Sequence, residues 1–202
     1  MNEIANDILK FLAFSQKLKS QQRTIKLAKD RHESSADHSW HLAIMAMVVA
    51  PHLKKKIDLL KSLKMVLIHD LVEAEIGDTP YGDSISNSEI KKEKVRKENE
   101  EIKKIEKLVG GELGKEIRNL WHEFEENKTN EAKFVKAIDS LEANHQSIMY
   151  DVDYWENWFY PVALTKADKY CEHEEILEAI NSEITKNMRK KFEEAGVDLN
   201  NL

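Results

Sequence analysis

The most informative stretch of the sequence is HDLVEAEIGDTP, His69 to Pro80. A His-Asp dipeptide occurs by chance in a chain of this length, so it carries meaning only in context. Here the run Met65, Val66, Leu67, Ile68 leads straight into it, which puts His69 and Asp70 on a largely buried helix. An acid buried beside a histidine is costly unless something pairs with both. Glu73 follows Asp70 by three positions and His69 by four, so all three share one side of a helix. Groups suited to metal ligation or proton transfer therefore converge on one patch; the alternative is a helix-end ion cluster with no metal. Two residues elsewhere extend the set. His38 lies in the first turn of a helix within SADHSWHLA, and Asp139 borders an apolar face made by Phe134, Val135, Ile138 and Leu141. His38, His69, Asp70 and Asp139 together offer nitrogen and oxygen donors in equal number. That mixture suits Mn, Fe, Co or Zn better than calcium. Four ligands on a six-coordinate ion would leave two positions for water and a phosphate oxygen.

These residues need helices to hold them, and the sequence supplies them. Ile4, Ile8, Leu9, Leu12 and Phe14 give helical spacing over residues 2 to about 18. Gln21 to Arg31 is polar and aperiodic and reads as a connecting segment. A helix is predicted from about Ser35 to Ala50, capped by Ser34 or Ser35 and stopped by Pro51. The next runs from about Lys61 to Ile76, with Gly77 past its end and Pro80 beyond. Residues 78 to 88 read as a loop. A long, charged, solvated helix spans Glu89 to Val109 and ends at Gly110 and Gly111. Helices over about 112–126 and 130–150 follow, then an aromatic patch from Tyr154 to Tyr160, then a last amphipathic helix over roughly 166–194.

Composition agrees with this all-α, single-domain reading of residues 1–202. The 202 residues contain only 6 Gly and 3 Pro, well under half of the usual ~12%. Sandwiches and barrels need many more turn residues. Charged residues make up 34% and hydrophobic ones 41%, as solvated helical faces around one core require. A net charge of -6 argues against a nucleic-acid partner held through phosphates, but not against a small phosphorylated ligand. The single cysteine, Cys171, fits a reducing compartment. With no signal-peptide pattern and no apolar run near 18 residues, a cytoplasmic protein without a membrane partner is expected.

The order His, His-Asp, Asp on helices resembles the signature of the HD-domain phosphohydrolases. The surrounding words are similar to the 5′-deoxynucleotidase (YfbR-like) branch: ESSADHSWHLA (Glu33 to Ala43), HDLVEAEIGDTP, and WHEFEENKTNEAKFVKAIDSLEANHQ (Trp121 to Gln146). The likeness covers roughly residues 8–150 and leaves 151–202 as a C-terminal helical extension. It implies that His38, His69, Asp70 and Asp139 bind one divalent metal ion, Mn, Co, Fe or Zn, with Mg a further option. It implies that Glu73 orients or deprotonates the attacking water and that Asp78 is a second active-site acid at the catalytic and substrate site. Arg23 falls where the family places a phosphate-binding arginine. Many members carry a tryptophan beside that arginine, near the sugar. Here the residue is Thr24, so sharp separation of deoxyribose from ribose is not expected.

The resulting expectation is a metal-dependent 5′-nucleotidase that cleaves (deoxy)nucleoside 5′-monophosphates to nucleoside and phosphate. Two rivals remain: an HD-type hydrolase of a nucleoside triphosphate or alarmone, and a helical nucleotide-binding module with a vestigial site. The first would need a larger basic pocket than Arg23, Arg31 and scattered lysines supply, and the second is disfavoured by the intact metal set and Glu73. His41 and Lys136 lie near the set, His41 as a partner of a ligand or an ordinary surface or core residue, Lys136 as a phosphate contact or a solvated lysine. Cys171 reads as a buried thiol, and the Trp155–Tyr160 patch as core or dimer contact rather than a base-stacking platform. A homodimer is expected.

Overall fold

The computed structural model describes residues 2–28, 30–78, 88–152, 155 and 159–198. In chain order its elements are α1 (Asn2–Ser15), β1 (Gln22–Ala28), β2 (Arg31–Ser34), α2 (Ser35–Val49), α3 (Leu59–Ile68) and α4 (Glu73–Ile76). These are followed by α5 (Ser88–Val109), α6 (Gly111–Glu126), α7 (Asn130–Ile148), α8 (Phe159–Thr165), α9 (Asp168–Cys171) and α10 (Glu175–Glu194). The helical class expected from the sequence is the one observed.

The helix starts follow from local chemistry. Ser34 caps α2: its Oγ accepts from the Asp37 N–H at 3.1 Å, and the Asp37 carboxylate accepts from the Ser34 N–H at 3.0 Å. This reciprocal box satisfies two donors that a helix start leaves open. Asp58 and Thr129 cap α3 and α7 with a single bond each, accepting from Lys61 N–H at 3.0 Å and Ala132 N–H at 3.2 Å. Pro51 does not end α2 abruptly; a 3-10 turn over Ala50–His52 carries it on.

Three expectations are corrected. Gln21–Arg31 is not a plain connector: β1 pairs antiparallel with β2, with Gln22 opposite Ser34 and Lys26 opposite His32. The strand is short and half-buried, so it shows no clean alternation of apolar and polar residues. The helix predicted over 61–76 breaks between Ile68 and Glu73. The His69 ring takes the Val66 carbonyl at 2.7 Å, which an uninterrupted helix would give to the Asp70 N–H. The backbone then tightens to three-residue spacing, as in Leu71 N–H to Ile68 O and Glu73 N–H to Asp70 O. The last helix begins at Glu175 rather than near 166, because Glu174 turns away to accept from the backbone N–H groups of Lys54 and Lys55. Of the loop expected over 78–88, residues 79–87 lie outside the described residues.

Helix α7 is the axis of the core. Its Phe134, Val135, Ala137, Ile138 and Leu141 are buried with Leu42 and Ala46 of α2, Met65 and Val66 of α3, Phe124 of α6, and Leu177, Ile184, Met188 and Phe192 of α10. A second cluster joins Leu18, Leu71 and Val72 to Ile102, Ile105, Ile117 and Trp121. Of the aromatic patch, Tyr154 and Trp158 lie outside the described residues; the described members pack against the first cluster, where Trp155 meets Phe159, Tyr160 and Phe192 edge-on or tilted at 5.1 to 6.0 Å. The core thus fixes α2, α3 and α7 side by side, which is what the chemistry-bearing residues require.

Candidate active site

Helix α2 delivers His38, the end of α3 delivers His69 and Asp70, and α7 delivers Asp139. One ligand atom each from His38, His69 and Asp139 lies within 4.8 Å of the others. His38 Nε2 stands 3.1 Å from Asp139 Oδ1. Asp70 Oδ1 stands 3.2 Å from His69 Nε2, while Asp70 Oδ2 accepts from Arg23 at 3.0 Å. Three of the four expected ligands, His38, His69 and Asp139, therefore come together, and Asp70 adjoins them, shared between His69 and the arginine. The His38 and His69 rings lie 5.4 Å apart, and His69 also meets the edge of Phe124 at 5.2 Å. Phe124 is thereby a wall that holds the ring in place.

Charge around these atoms is arranged by burial and neighbours. Burial and Arg23 disfavour a charged His38, but the Glu142 and Asp139 carboxylates outweigh them and raise it to about 10. Burial opposes ionisation of Asp70 and Asp139, yet His69 and Arg23 hold Asp70 down and His38 holds Asp139 well down. Glu73 is different. Burial, with the Asp70 and Asp78 carboxylates beside it, pushes it up to about 9 against the pull of Arg23. Its Oε2 accepts from Ser35 Oγ at 2.8 Å. Asp78 is raised by burial and by Asp70, opposed by Arg23 and Lys94. Arg23 stays charged: burial works against it, and Asp70, Glu73, Asp139 and Glu33 prevail.

Several contributors were not found in the sequence. Glu142 on α7 is fully buried, with Oε2 2.5 Å from His38 Nδ1 and Oε1 2.8 Å from His41 Nδ1. Its position one turn after Asp139 was the available signal. Glu33, 1% exposed, brings Oε2 to 3.2 Å from Arg23 Nε. Lys94 of α5 feels Glu98, Glu73 and Asp78, and Lys166 after α8 is depressed by burial with Asp139 and Arg23 as neighbours. Neither lysine sits in a motif, so only the fold could bring them in. Lys136 is committed elsewhere, to Glu125 at 2.7 Å and the Phe124 face at 3.6 Å. Thr24 is exposed, beside the half-buried Arg23 on β1. Cys171 is buried, and burial with Asp168 nearby pushes its thiol up to about 12, so it is no nucleophile.

A sequence profile described as HD domain matches residues 15–181. The chain belongs to the HD-domain family. This HD-domain chain is 37% identical over 153 residues to 5′-deoxynucleotidase HDDC2 of Dictyostelium discoideum, covering 72% of this chain and 78% of that one. It is 36% identical over 149 residues to 5′-deoxynucleotidase HDDC2 of Homo sapiens, covering 73% and 70%. Among solved structures, a chain described as a predicted metal-dependent phosphohydrolase from Magnetospirillum magnetotacticum MS-1 matches with a TM-score of 0.74 and 25% identity, covering 93% of this chain and 96% of that one.

The residues present fit a divalent cation. His69 donates from Nδ1 to the Val66 carbonyl, which can only accept, so Nε2 is the atom left with a lone pair in the neutral ring. That Nε2 is buried and makes no aligned hydrogen bond; its neighbour is the Asp70 carboxylate at 3.2 Å, which faces the ring's lone pair and leaves it without a donor. A buried imidazole nitrogen without a partner is costly, and a cation shared with His38 and Asp139 supplies one. The donor set is nitrogen and carboxylate oxygen, as borderline transition metals prefer.

Proposed function

We propose that the protein is a metal-dependent phosphomonoesterase that hydrolyses nucleoside 5′-monophosphates, deoxynucleotides among them, to nucleoside and phosphate. The observation that carries this reading is the convergence of His38, His69 and Asp139 within 4.8 Å, with Arg23 bonded to the adjoining Asp70. The names of the curated relatives support the same substrate class. His38, His69, Asp70 and Asp139 are the proposed ligands of one ion, Mn, Co, Fe or Zn, with Mg a further option. A bound divalent cation supplies Lewis acidity and lowers the pKa of water. Glu73, fixed by Ser35, is the residue that orients the attacking water and takes its proton; a cation held beside Asp70 would offset the carboxylate crowding that keeps Glu73 protonated. Arg23 faces the phosphoryl oxygens with a planar fork suited to them. Asp78 and Lys94 flank the substrate side. No side chain forms a covalent phosphoenzyme in this reading.

The test is a phosphate-release screen over nucleoside mono-, di- and triphosphates with each metal in turn. Release from monophosphates, dAMP and AMP included, is expected; release confined to triphosphates or alarmones would replace this reading. Asp139→Ala should lose stoichiometric metal by elemental analysis while helicity stays. Full metal content in that variant would remove Asp139 from the ligand set.

We read residues 1–202 as one domain, because α10 shares the core of α2 and α7. A cytoplasmic location is proposed; among the described residues no helix is long and apolar enough to cross a membrane. A homodimer is also proposed, on a different surface from the one the sequence suggested. Trp155, Phe159 and Tyr160 are half-buried against the core, whereas Trp40, Ile44, Met47 and Val48 form an exposed stripe along α2, at 43–66% exposure. Trp40→Glu should halve the mass seen by light scattering, and an unchanged mass would move the dimer surface elsewhere.

A further inference from the structure

We infer that Glu142 is a positioning residue that fixes which nitrogen of His38 faces the metal. The inference rests on the metal-site reading above and deepens it. Glu142 is fully buried on α7, one turn beyond Asp139. Its two oxygens are divided between two rings one turn apart on α2: Oε2 to His38 Nδ1 at 2.5 Å and Oε1 to His41 Nδ1 at 2.8 Å. With both oxygens engaged, the carboxylate cannot rotate without breaking one bond.

A carboxylate accepts and does not donate when ionised, so the facing nitrogen of His38 must carry the proton. Nε2 is then the ring atom that can offer a lone pair, and it points to Asp139 at 3.1 Å. A carboxylate behind a ligating histidine fixes its tautomer and ring angle and raises its basicity. His69 reaches the same state with the Val66 carbonyl in place of a carboxylate. The site thus presents two Nε2 atoms, each set by an acceptor on the far side of its ring. Glu33, His38 and Glu142 also place donor atoms within 4.8 Å of one another. They are not a second cation site, because both Glu142 oxygens are already given to histidines and Glu33 lies against Arg23. His41, half-buried at the outer end of this chain of bonds, holds Glu142 in turn.

Glu142→Gln keeps the shape but offers one oxygen and one NH2 group to two rings that both need an acceptor. One ring must lose its partner or change tautomer. The full-length chain, stripped of metal, is titrated with Mn2+ by calorimetry, with circular dichroism to confirm the fold. A dissociation constant raised about 10–100-fold is expected, the range for loss of such a supporting partner. Wild-type affinity in a folded Glu142→Gln would overturn the inference while leaving the metal site standing. A wild type that takes up none of Mn2+, Co2+, Fe2+, Zn2+ and Mg2+ in the same titration would overturn the metal-site reading and this inference with it. A second measurement needs no variant. In the Zn2+-loaded wild type, long-range 1H–15N spectra should show His38 protonated on Nδ1 and bare of protons on Nε2. A proton-free Nδ1 would overturn the assignment whatever the variant does.

Discussion

Among single residues, Glu73 and Asp139 are both acids in one cluster, and their surroundings separate their roles. Asp139 is held ionised by His38 and sits among the proposed ligand atoms. Glu73 is held by Ser35 and kept protonated by burial and by Asp70 and Asp78. A proton handler and a ligand should fail differently when removed. Glu73→Ala is expected to keep its metal and lose roughly 10²–10⁴-fold in kcat, the usual worth of general acid–base help. Near-normal turnover would pass the role to Asp78. Glu73 was legible from its spacing to His69 and Asp70 in one short stretch, whereas Asp139, an acid at the edge of an apolar face, gained its role only through the family resemblance. The sequence did not reveal Glu142, Lys94 or Lys166. A glutamate or lysine in a charged helix looks the same whether it faces water or a site, and only packing decides.

At the level of elements, the sequence showed where helices stop only when glycine, proline or a cap said so. Ser34, Gly77 and Gly110 are such signals, and the structure uses all three. It was silent on the break after Ile68, because that break is made by a side chain competing for a backbone carbonyl. The hairpin was missed for a related reason: its strands are polar, and its pairing is set by what it packs on. One glycine has a purely steric role. A Cβ on Gly114 of α6 would meet the Glu106 carbonyl oxygen of α5 at 2.4 Å. That oxygen already accepts the Gly110 N–H at 2.9 Å and cannot swing aside cheaply. Gly114→Ala should therefore destabilise the fold by about 1–3 kcal/mol as overpacking does, despite alanine's better helix propensity. A thermal melt several degrees lower is the expected readout; an unchanged or higher melt would show that α5 and α6 part without strain.

Across the whole molecule, the site makes stability depend on pH, and metal should reverse that dependence. In the metal-free chain Glu73 keeps its proton up to about 9 and His38 up to about 10. Their ordinary values are near 4.5 and 6.5. Between pH 6.5 and 8.5 the folded chain therefore holds protons that the unfolded chain has already lost. Stability falls with rising pH wherever the native state binds more protons. The lowered acids, Asp70, Asp139 and Glu142, lose their contribution only well below this window. Glu33, raised to about 7 by burial, and His41, raised by Glu142, work in the same direction as Glu73 and His38, while Lys166, Lys191, His145 and His173, depressed by burial, oppose it. A divalent cation needs the His38 lone pair and ionised carboxylates, so its uptake releases protons and tightens as pH rises. The metal-free melting temperature should fall from pH 6.5 to 8.5, and the gain on adding Mn2+ should grow over the same range. Melts of Glu73→Gln without metal should show a flatter pH dependence, since one of the two protons is no longer exchanged. If the metal-free melt instead rises toward pH 8.5, the crowding of acids around Arg23 and His38 is relieved in solution by some arrangement other than the one described.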